Sequence, residues 1–202
     1  MYDEQVLEGQ AEPRGCDRLD ATMGQSDPMP DVEDFELDRV EEGDGDCLDE
    51  CLDLTPFQAE QLRRLYPDRP SQYRRLAEMT AAEVGREGEF MAAGLLLSLD
   101  YDILETNWRC GGREADIVAL DGDEVVLVEV KARRKGDPSY ADEVPELAVD
   151  YRKCKGYRSL ALLYMAFHSE VRHVRFDVVA VNLVVGAGAR MRHLIGAYAW
   201  DE

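Results

Sequence analysis

The chain has 202 residues and a formal net charge of −20, which allows one domain of ordinary size and an additional segment. No apolar run approaches the roughly 20 residues that a membrane-spanning helix needs, and the acidic N-terminus is not that of a secretory signal peptide. The five cysteines are odd in number and show no disulfide framework. We therefore expect a cytoplasmic protein without a membrane partner.

The acidity is concentrated in the N-terminal quarter. Residues 1–54 contain 19 acidic and three basic residues, a net charge of −16, whereas residues 55–202 have a net charge of −4. The N-terminal segment also has few large apolar residues, so it cannot bury enough surface to offset the entropy lost on ordering. We predict a disordered acidic tail over residues 1–54. The tail is simply solvated, or competes with nucleic acid for a basic groove, or docks a protein partner.

A short helical segment is predicted over residues 55–79. The run from Thr55 to Gln58 supplies an N-cap, a proline at the first helical position and a capping-box glutamine. After a break that contains proline, Tyr73 and Leu76 indicate a second short helix. Both helices are too short to be stable alone, so we expect them to pack on the main domain.

The main domain is predicted over residues 80–202. It begins with a second capping box, formed by Thr80 and Glu83, and with a helix that continues to about residue 99. Apolar and small residues recur three and four positions apart in this helix, which predicts one buried stripe. The stripe consists of Val84, Gly88, Met91, Leu95 and Leu99.

The remaining segments of the domain have β character. Strands are predicted at residues 102–107, 114–120, 125–131, 174–184 and 192–198. The turn sequence Asp121-Gly122-Asp123 joins the second and third strands as a hairpin. A polar loop over residues 133–143 then leads into a helix from Pro145 to Phe167. This order of helix, three strands, helix and one or two strands predicts an α/β fold with a mixed sheet flanked by helices.

The third strand carries charge at the end of an apolar run. Residues two apart in a strand face the same side, so Glu129 and Lys131 share a face. Burying such charges is costly unless each is paired or binds an ion. A buried structural salt bridge is therefore one interpretation of this pair, and a functional site is the other.

The hairpin favours the functional interpretation, because it brings Asp116 on the second strand beside Glu129. Like charges held close together repel each other unless a cation lies between them. Ligation by oxygen atoms with open water positions suits Mg²⁺ or Mn²⁺. A lysine next to such a site can orient a water molecule and offset charge that builds on a phosphate.

This pattern resembles that of a known superfamily. Asp116 followed by Glu129-Val130-Lys131 is similar to the PD-(D/E)XK motif of restriction-endonuclease-like nucleases and archaeal Holliday-junction resolvases. Between about Thr80 and Trp200, five blocks in order resemble the bacterial YraN family, whose members are named as predicted endonucleases. The blocks are Gly85-Arg86-Glu87-Gly88-Glu89, Asn107-Trp108-Arg109-Cys110, Glu114-Ala115-Asp116-Ile117-Val118-Ala119, Val128-Glu129-Val130-Lys131-Ala132-Arg133 and Arg175-Phe176-Asp177-Val178.

The resemblance implies a role for each matching residue. Asp116 and Glu129 correspond to the metal ligands, and the backbone carbonyl of Val130 often completes such a site. Lys131 corresponds to the catalytic lysine. Glu89 corresponds to an acidic residue on the first helix that binds the metal or relays a proton. The family thus implies a restriction-endonuclease-like fold with Mg²⁺ or Mn²⁺ as its cofactor.

The chain departs from the family pattern at two positions. Cys154 stands where the family has glutamine after Lys153, and Arg113 replaces a residue that is often glycine. Both departures leave the metal ligands untouched. They bear instead on the phosphate contacts and on the shape of the loop before the acidic strand.

Other charged residues are interpreted as structural. Glu114 is expected to pair with Arg109 or Arg133 rather than to bind the metal. Arg175 and Asp177 alternate with apolar neighbours, which predicts a surface pair across strands. None of the three histidines has a nucleophile or a metal ligand close to it in the sequence.

Basic residues gather around the proposed site despite the acidic total. They follow the third strand and recur on the next helix, and such clusters supply most of the affinity of nucleic-acid-binding proteins. The candidate phosphate contacts are Arg133, Arg134, Lys135, Arg152, Lys153 and Lys155. A solvated helix face is the alternative interpretation of the second cluster.

Two functions are consistent with these features. The first is a metal-dependent nuclease that hydrolyses phosphodiester bonds in DNA rather than RNA, with branched or flapped structures as candidate substrates. The alternative is a non-catalytic module that retains the nuclease fold and binds nucleic acid or a protein. The sequence leaves open whether the protein forms a homodimer.

Overall fold

A computed structural model describes one N-terminal strand and most of the chain after it. The described residues are 31–37, 52–72, 74–136, 151–186 and 188–197. Within them the chain forms six strands and three helices. The predicted fold class, a mixed sheet flanked by helices, is confirmed. No helix of these residues is both long and apolar enough to cross a membrane.

The strands form one mixed sheet. They are β1 (Asp31–Leu37), β2 (Asp102–Cys110), β3 (Arg113–Asp121), β4 (Glu124–Lys135), β5 (Val174–Val184) and β6 (Gly188–Ile195). Their order across the sheet is β1-β6-β5-β4-β3-β2. The neighbours β4 and β5 are parallel, and all other neighbours are antiparallel. A parallel pair needs a crossover connection, and the last helix lies in that connection.

Both predicted capping boxes are present. The helices are α1 (Pro56–Leu65), α2 (Ala81–Ser98) and α3 (Tyr151–Phe167). Thr55 caps α1 by accepting a hydrogen bond from the Gln58 N–H, and Thr80 caps α2 in the same way with Glu83. Each cap satisfies N–H groups that the first helical turn leaves without partners. The position at which each helix starts is therefore determined by the four consecutive residues of its capping box.

The second short helix predicted before α2 is present only as 3₁₀ turns. Two 3₁₀ turns, Pro70–Gln72 and Leu76–Glu78, lie in this stretch. The Arg75 side chain makes no capping hydrogen bond to the second turn. A single turn fixes several residues for few hydrogen bonds, so without a cap it does not extend into a helix.

Two strand boundaries also differ from the predicted ones. β4 extends to Lys135, so Arg133 lies in a strand and not in the predicted loop. The strand is longer because β4 pairs with β5 along its whole end. The last strand is Gly188–Ile195 and not 192–198. The rest of the predicted loop and the predicted helix start at Pro145 lie outside the described residues.

The sheet separates two apolar cores. Val126 and Val128 of β4 lie in the core beneath α1 and α2, whereas Val125 and Leu127 lie in the core that contains Leu160 of α3. This alternation is the period of two that a strand imposes on its side chains. The apolar run of β4 is therefore buried on both faces, as predicted.

The prediction of disorder over residues 1–54 is wrong for β1, which pairs with β6 at the edge of the sheet. Asp34 lies opposite Arg192 and forms an ion pair with it. Phe35 lies opposite Met191 and packs against the core of α1 and α2. Opposite charges and apolar contacts across two strands stabilise this pairing, and low overall hydrophobicity does not reveal them.

Leu52 is a second correction to the predicted tail. Its side chain is 6% exposed and belongs to the same core as Leu62 of α1 and Leu95 of α2. The ordered main body thus includes a residue before Thr55. Asp53 and Leu54 follow it, and Leu54 also packs against this core. The remaining residues of the predicted tail, 1–30 and 38–51, lie outside the described part of the chain.

Candidate active site

The paired region of β3 and β4 ends beside Asp116. The last paired residues are Ile117 and Val128, and the next residues in this register are Asp116 and Glu129. The predicted hairpin is therefore confirmed. Oδ2 of Asp116 accepts a hydrogen bond of 2.7 Å from the backbone N–H of Val130. Its carboxylate thus lies against the β4 backbone between the two charged residues of that strand.

Glu129 and Lys131 form an ion pair on β4, between Oε1 of the glutamate and Nζ of the lysine. Their side chains are 17% and 36% exposed, so the pair is partly shielded from water. Strand alternation places both on the face of Val125 and Leu127, on which α3 packs. The salt bridge that the sequence allowed is present. The positive charge of Lys131 also offsets part of the rise that burial causes in the pKa of Asp116.

Glu89 of α2 supplies a carboxylate from the helical layer that feels the charge of Asp116. Burial raises the pKa of Glu89, and the negative charges of Asp116 and Glu114 raise it further. A hydrogen bond from Asn107 opposes this shift. Asn107 has a φ of 55°, a left-handed conformation that asparagine adopts more readily than most residues. β2, β3 and α2 thus bring polar side chains together at one point.

The pKa of Asp116 is raised, like that of Glu89. Burial raises its pKa, and the charge of Glu114 acts in the same direction, whereas the Val130 N–H and Lys131 lower it. The net direction is upward. Both carboxylates are thus partly buried and harder to ionise than usual, and the charge of Asp116 adds to the effect on Glu89. A bound cation would relieve this repulsion.

The sequence contained no sign that Tyr66 belongs to this neighbourhood. It follows α1, and its hydroxyl oxygen is buried without a hydrogen-bond partner among the described residues. Burial raises the pKa of Tyr66, and the charges of Glu89 and Asp116 raise it further. No local pattern marks such a residue, because its approach to the site depends on how α1 packs on α2.

The donor set fits a hydrated hard cation better than a fully protein-ligated one. Among the described residues no three histidine, cysteine, aspartate or glutamate side chains converge on one metal position. Carboxylate oxygens from Glu89 and Asp116 and the orphaned Tyr66 hydroxyl are all oxygen groups, which Mg²⁺ and Mn²⁺ prefer. Mg²⁺ also retains several waters in protein sites. Metal binding through Glu129 and the Val130 carbonyl stays a prediction.

The predicted basic cluster is only partly described. Arg133 is exposed at the end of β4. Nη1 of Arg134 donates hydrogen bonds to the carbonyls of Leu76, Ala77 and Met79 at 3.1, 3.0 and 2.7 Å. Arg134 therefore ties β4 to the turn before α2, a structural contact that the sequence did not indicate. Lys135 ends the same strand, and the side chains of Arg152, Lys153 and Lys155 lie outside the described part of the chain.

Two arginines next to the site, Arg109 and Arg113, make structural contacts with neighbouring elements of the fold. Nη2 of Arg109 bonds Oε1 of Glu114 at 2.8 Å, so the predicted structural partner of Glu114 is confirmed. The guanidinium of Arg113 lies over Gly156 of α3, where a side chain would overlap with it. Arg113 thus joins the start of β3 to α3.

The prediction of a surface pair between Arg175 and Asp177 is wrong. The Asp177 side chain is wholly buried, and its Oδ2 lies 2.9 Å from Nε2 of His193, which is also fully buried. Arg175 bonds Asp177, the acidic residues at the β3–β4 turn and the hydroxyl of Tyr101. Buried charges need such partners. The sequence did not indicate the contact of His193, because its partner Asp177 lies on another strand.

The fold and site define a class: a mixed α/β protein with an acid–lysine hairpin against a helix that carries a further acid. The model of the uncharacterised protein family UPF0102 matches residues 88–181. A UPF0102 protein of Thermodesulfovibrio yellowstonii is 43% identical over 104 residues, 52% of this chain and 89% of the relative. A relative from Renibacterium salmoninarum is 39% identical over 118 residues, which are 58% of this chain and 97% of the relative. A relative from an Arthrobacter species is 46% identical over 116 residues, which are 56% of this chain and 93% of the relative.

The chain belongs to the UPF0102 family. This family corresponds to the YraN group that the five sequence blocks resemble. The family match begins at residue 88, so β1, α1 and Tyr66 precede it.

Proposed function

We propose that the protein is a Mg²⁺- or Mn²⁺-dependent nuclease that hydrolyses phosphodiester bonds in DNA, with branched or flapped structures as candidate substrates. The observation that carries the proposal is the meeting of Asp116 with Glu89 and Lys131. The pKa values of both carboxylates are raised, and Asp116 feels the charge of Lys131 as well as exerting its own on Glu89. Without a ligand this arrangement is unfavourable, and clusters of perturbed acids are typical of functional sites.

Each residue has a distinct task in this proposal. Asp116 and Glu89 would hold the cation, and Glu129 would join them on leaving its ion pair with Lys131. The bound cation would supply Lewis-acid activation of the phosphate and of a water. Lys131 offsets the negative charge that develops on the phosphate and orients the attacking water. In the described structure Lys131 is paired with Glu129. Cation binding by that glutamate would leave the ammonium group to face the substrate.

Phosphate binding is assigned to the basic residues around the site. Arg133 is exposed on the same strand as Lys131, and Arg152, Lys153 and Lys155 follow on α3. Recognition through phosphates gives affinity without reading of base sequence. This fits a substrate chosen by its shape. We also propose a cytoplasmic location for the protein.

A second candidate is a non-catalytic module that binds nucleic acid or a protein. The observation that favours it is the ion pair itself, since Glu129 is neutralised by Lys131 and no three-ligand cluster occurs among the described residues. In that case the hairpin is a partly buried salt bridge within a retained fold.

The variants Asp116→Asn and Lys131→Ala separate the two candidates. Loss of Asp116 should remove cation binding and cleavage together, because a neutral amide is a poor Mg²⁺ ligand. Loss of Lys131 should keep cation affinity and reduce the cleavage rate on the order of a hundredfold. DNA affinity should change little in either variant, because the other basic residues remain.

The measurements are isothermal titration with Mg²⁺ and Mn²⁺, and cleavage of fluorescent branched, flapped and linear DNA and of matched RNA. Asp102→Asn, at an exposed position of β2, is the matched control and should behave as wild type. A wild-type protein that binds neither cation and cuts no substrate favours the non-catalytic module. Cleavage that survives in Asp116→Asn would place the chemistry elsewhere.

A further inference from the structure

Tyr66 lies outside the matched family region but beside the proposed site. Its ring meets that of Phe90 edge-on, with centroids 5.9 Å apart. Phe90 follows Glu89 on α2, so this contact holds the phenol next to the helix that carries the site glutamate. Glu89 and Asp116 are also the two charges that act on the Tyr66 hydroxyl. The segment after α1 thus places the Tyr66 phenol near Glu89 and Asp116.

The hydroxyl of Tyr66 is buried and has no hydrogen-bond partner among the described residues. Tyr101 offers a contrast, because its hydroxyl bonds Nη2 of Arg175 at 2.9 Å. A buried hydroxyl without a partner is unfavourable for folding, and such groups are rare in native proteins. Phenylalanine would fill the same space without this penalty. The hydroxyl therefore needs a partner that the described residues do not supply.

We infer that the Tyr66 hydroxyl hydrogen-bonds a water molecule of a hydrated divalent cation held by Glu89 and Asp116. The inference rests on the cation site of the proposed function. A phenol accepts a hydrogen bond from such a water and can donate one to a carboxylate. Mg²⁺ keeps several of its waters when it binds protein carboxylates, and those waters are hydrogen-bond donors.

Tyr66 is a positioning residue in this inference, because it acts on the cation through a water. Residues that hydrogen-bond to the ligands of a metal ion fix the orientation of those ligands. Their loss typically lowers metal affinity about tenfold to a hundredfold. The segment before α2 then has a role beyond packing. It completes a site whose other residues lie within the region that the family model matches, residues 88–181.

The test compares Tyr66→Phe with Tyr101→Phe in the full chain. Tyr66→Phe removes a hydroxyl without a partner, so the thermal midpoint of the metal-free protein should stay the same or rise. Its affinity for Mg²⁺ and Mn²⁺ in isothermal titration should fall roughly tenfold, and the rise in midpoint on adding Mn²⁺ should shrink. Tyr101→Phe removes a hydrogen bond that is made, so it should lower the metal-free midpoint and leave cation affinity unchanged.

Two results overturn the inference. One is an unchanged cation affinity in Tyr66→Phe. The other is a metal-free midpoint that falls as far in Tyr66→Phe as in Tyr101→Phe, because the hydroxyl would then have a structural partner. Cleavage is measured separately. A wild-type protein that binds cations but cuts no substrate contradicts the proposed nuclease, whereas the comparison of affinities still decides the role of Tyr66.

Discussion

Gly88 of α2 lies directly against Ala132 of β4. A Cβ built on Gly88 would overlap with the Cβ of Ala132 and lie 3.4 Å from its Cα. Only glycine permits the helix to approach the strand this closely. The contact holds Glu89, the next residue, over the strand that carries Lys131.

The first prediction is that Gly88→Ala destabilises the fold and disturbs the site, although alanine favours helices. Overpacking a well-packed contact costs about 1–3 kcal/mol, and a displaced α2 would move Glu89 away from Asp116. Urea unfolding and Mn²⁺ titration measure the two effects. Gly85→Ala on the same helix is the control, because nothing lies within 4 Å of its Cβ. It should stabilise the protein by up to about 1 kcal/mol, and equal effects of both substitutions would contradict the packing argument.

The second prediction is that Asp116→Asn is more stable than wild type at neutral pH. The folded pKa of Asp116 is raised by burial and by Glu114. The associated stability is therefore present below the unfolded pKa of about 3.9 and is lost as the pH rises through the folded value. Asparagine does not titrate, and its oxygen can still accept the Val130 N–H.

The gain from Asp116→Asn should therefore be visible at pH 7 and disappear below about pH 4. Free energies of unfolding from urea titrations between pH 3 and pH 8 check this. Asp102→Asn, at an exposed position, should show no such pattern. A constant difference at every pH would mean that the aspartate charge is not the cause.

The third prediction concerns Asp177, whose pH dependence has the opposite sign. Burial alone would raise its pKa, but hydrogen bonds from His193, Arg175 and the Gly196 N–H outweigh burial and lower it. This stability is present above the unfolded pKa of about 3.9 and is lost as the pH falls through the lower folded value. Asp177→Asn should cost about 3 kcal/mol at pH 7, as removal of one partner from a buried pair does.

The cost of Asp177→Asn should shrink below about pH 4, where the wild type loses the same interaction. Unfolding by urea at several pH values measures it. Cation affinity supplies an independent control, because it should not change in the folded variant. A cost that stays constant down to pH 3 would show that the carboxylate charge contributes nothing.

The fourth prediction is that Leu52→Ala destabilises the protein strongly although the residue lies in the segment of acidic composition. Leu52 is 6% exposed in the core of α1 and α2, and truncation of such a leucine costs about 2–5 kcal/mol. Phe57→Ala removes a larger side chain that is 79% exposed and should cost little. Thermal and urea unfolding compare them. Similar costs would show that Leu52 does not belong to the core.

Local order along the chain was predictable from short stretches of sequence. The capping boxes at Thr55 and Thr80 depend on contacts three residues apart. The β3–β4 hairpin follows from a tight turn and from the apolar run of β4. The position of Asp116 beside β4 was predictable too, because the register of a hairpin is set by its turn.

The tertiary structure alone decided which polar groups are buried together. His193 meets Asp177 across two strands, Tyr66 approaches Glu89 through the packing of α1 on α2, and β1 pairs with β6 over more than 150 residues of sequence separation. Capping, turn chemistry and apolar periodicity act over a few residues, so sequence determines them directly. Burial of a charge or hydroxyl instead depends on which distant segments exclude water from it, and only the assembled layers determine that.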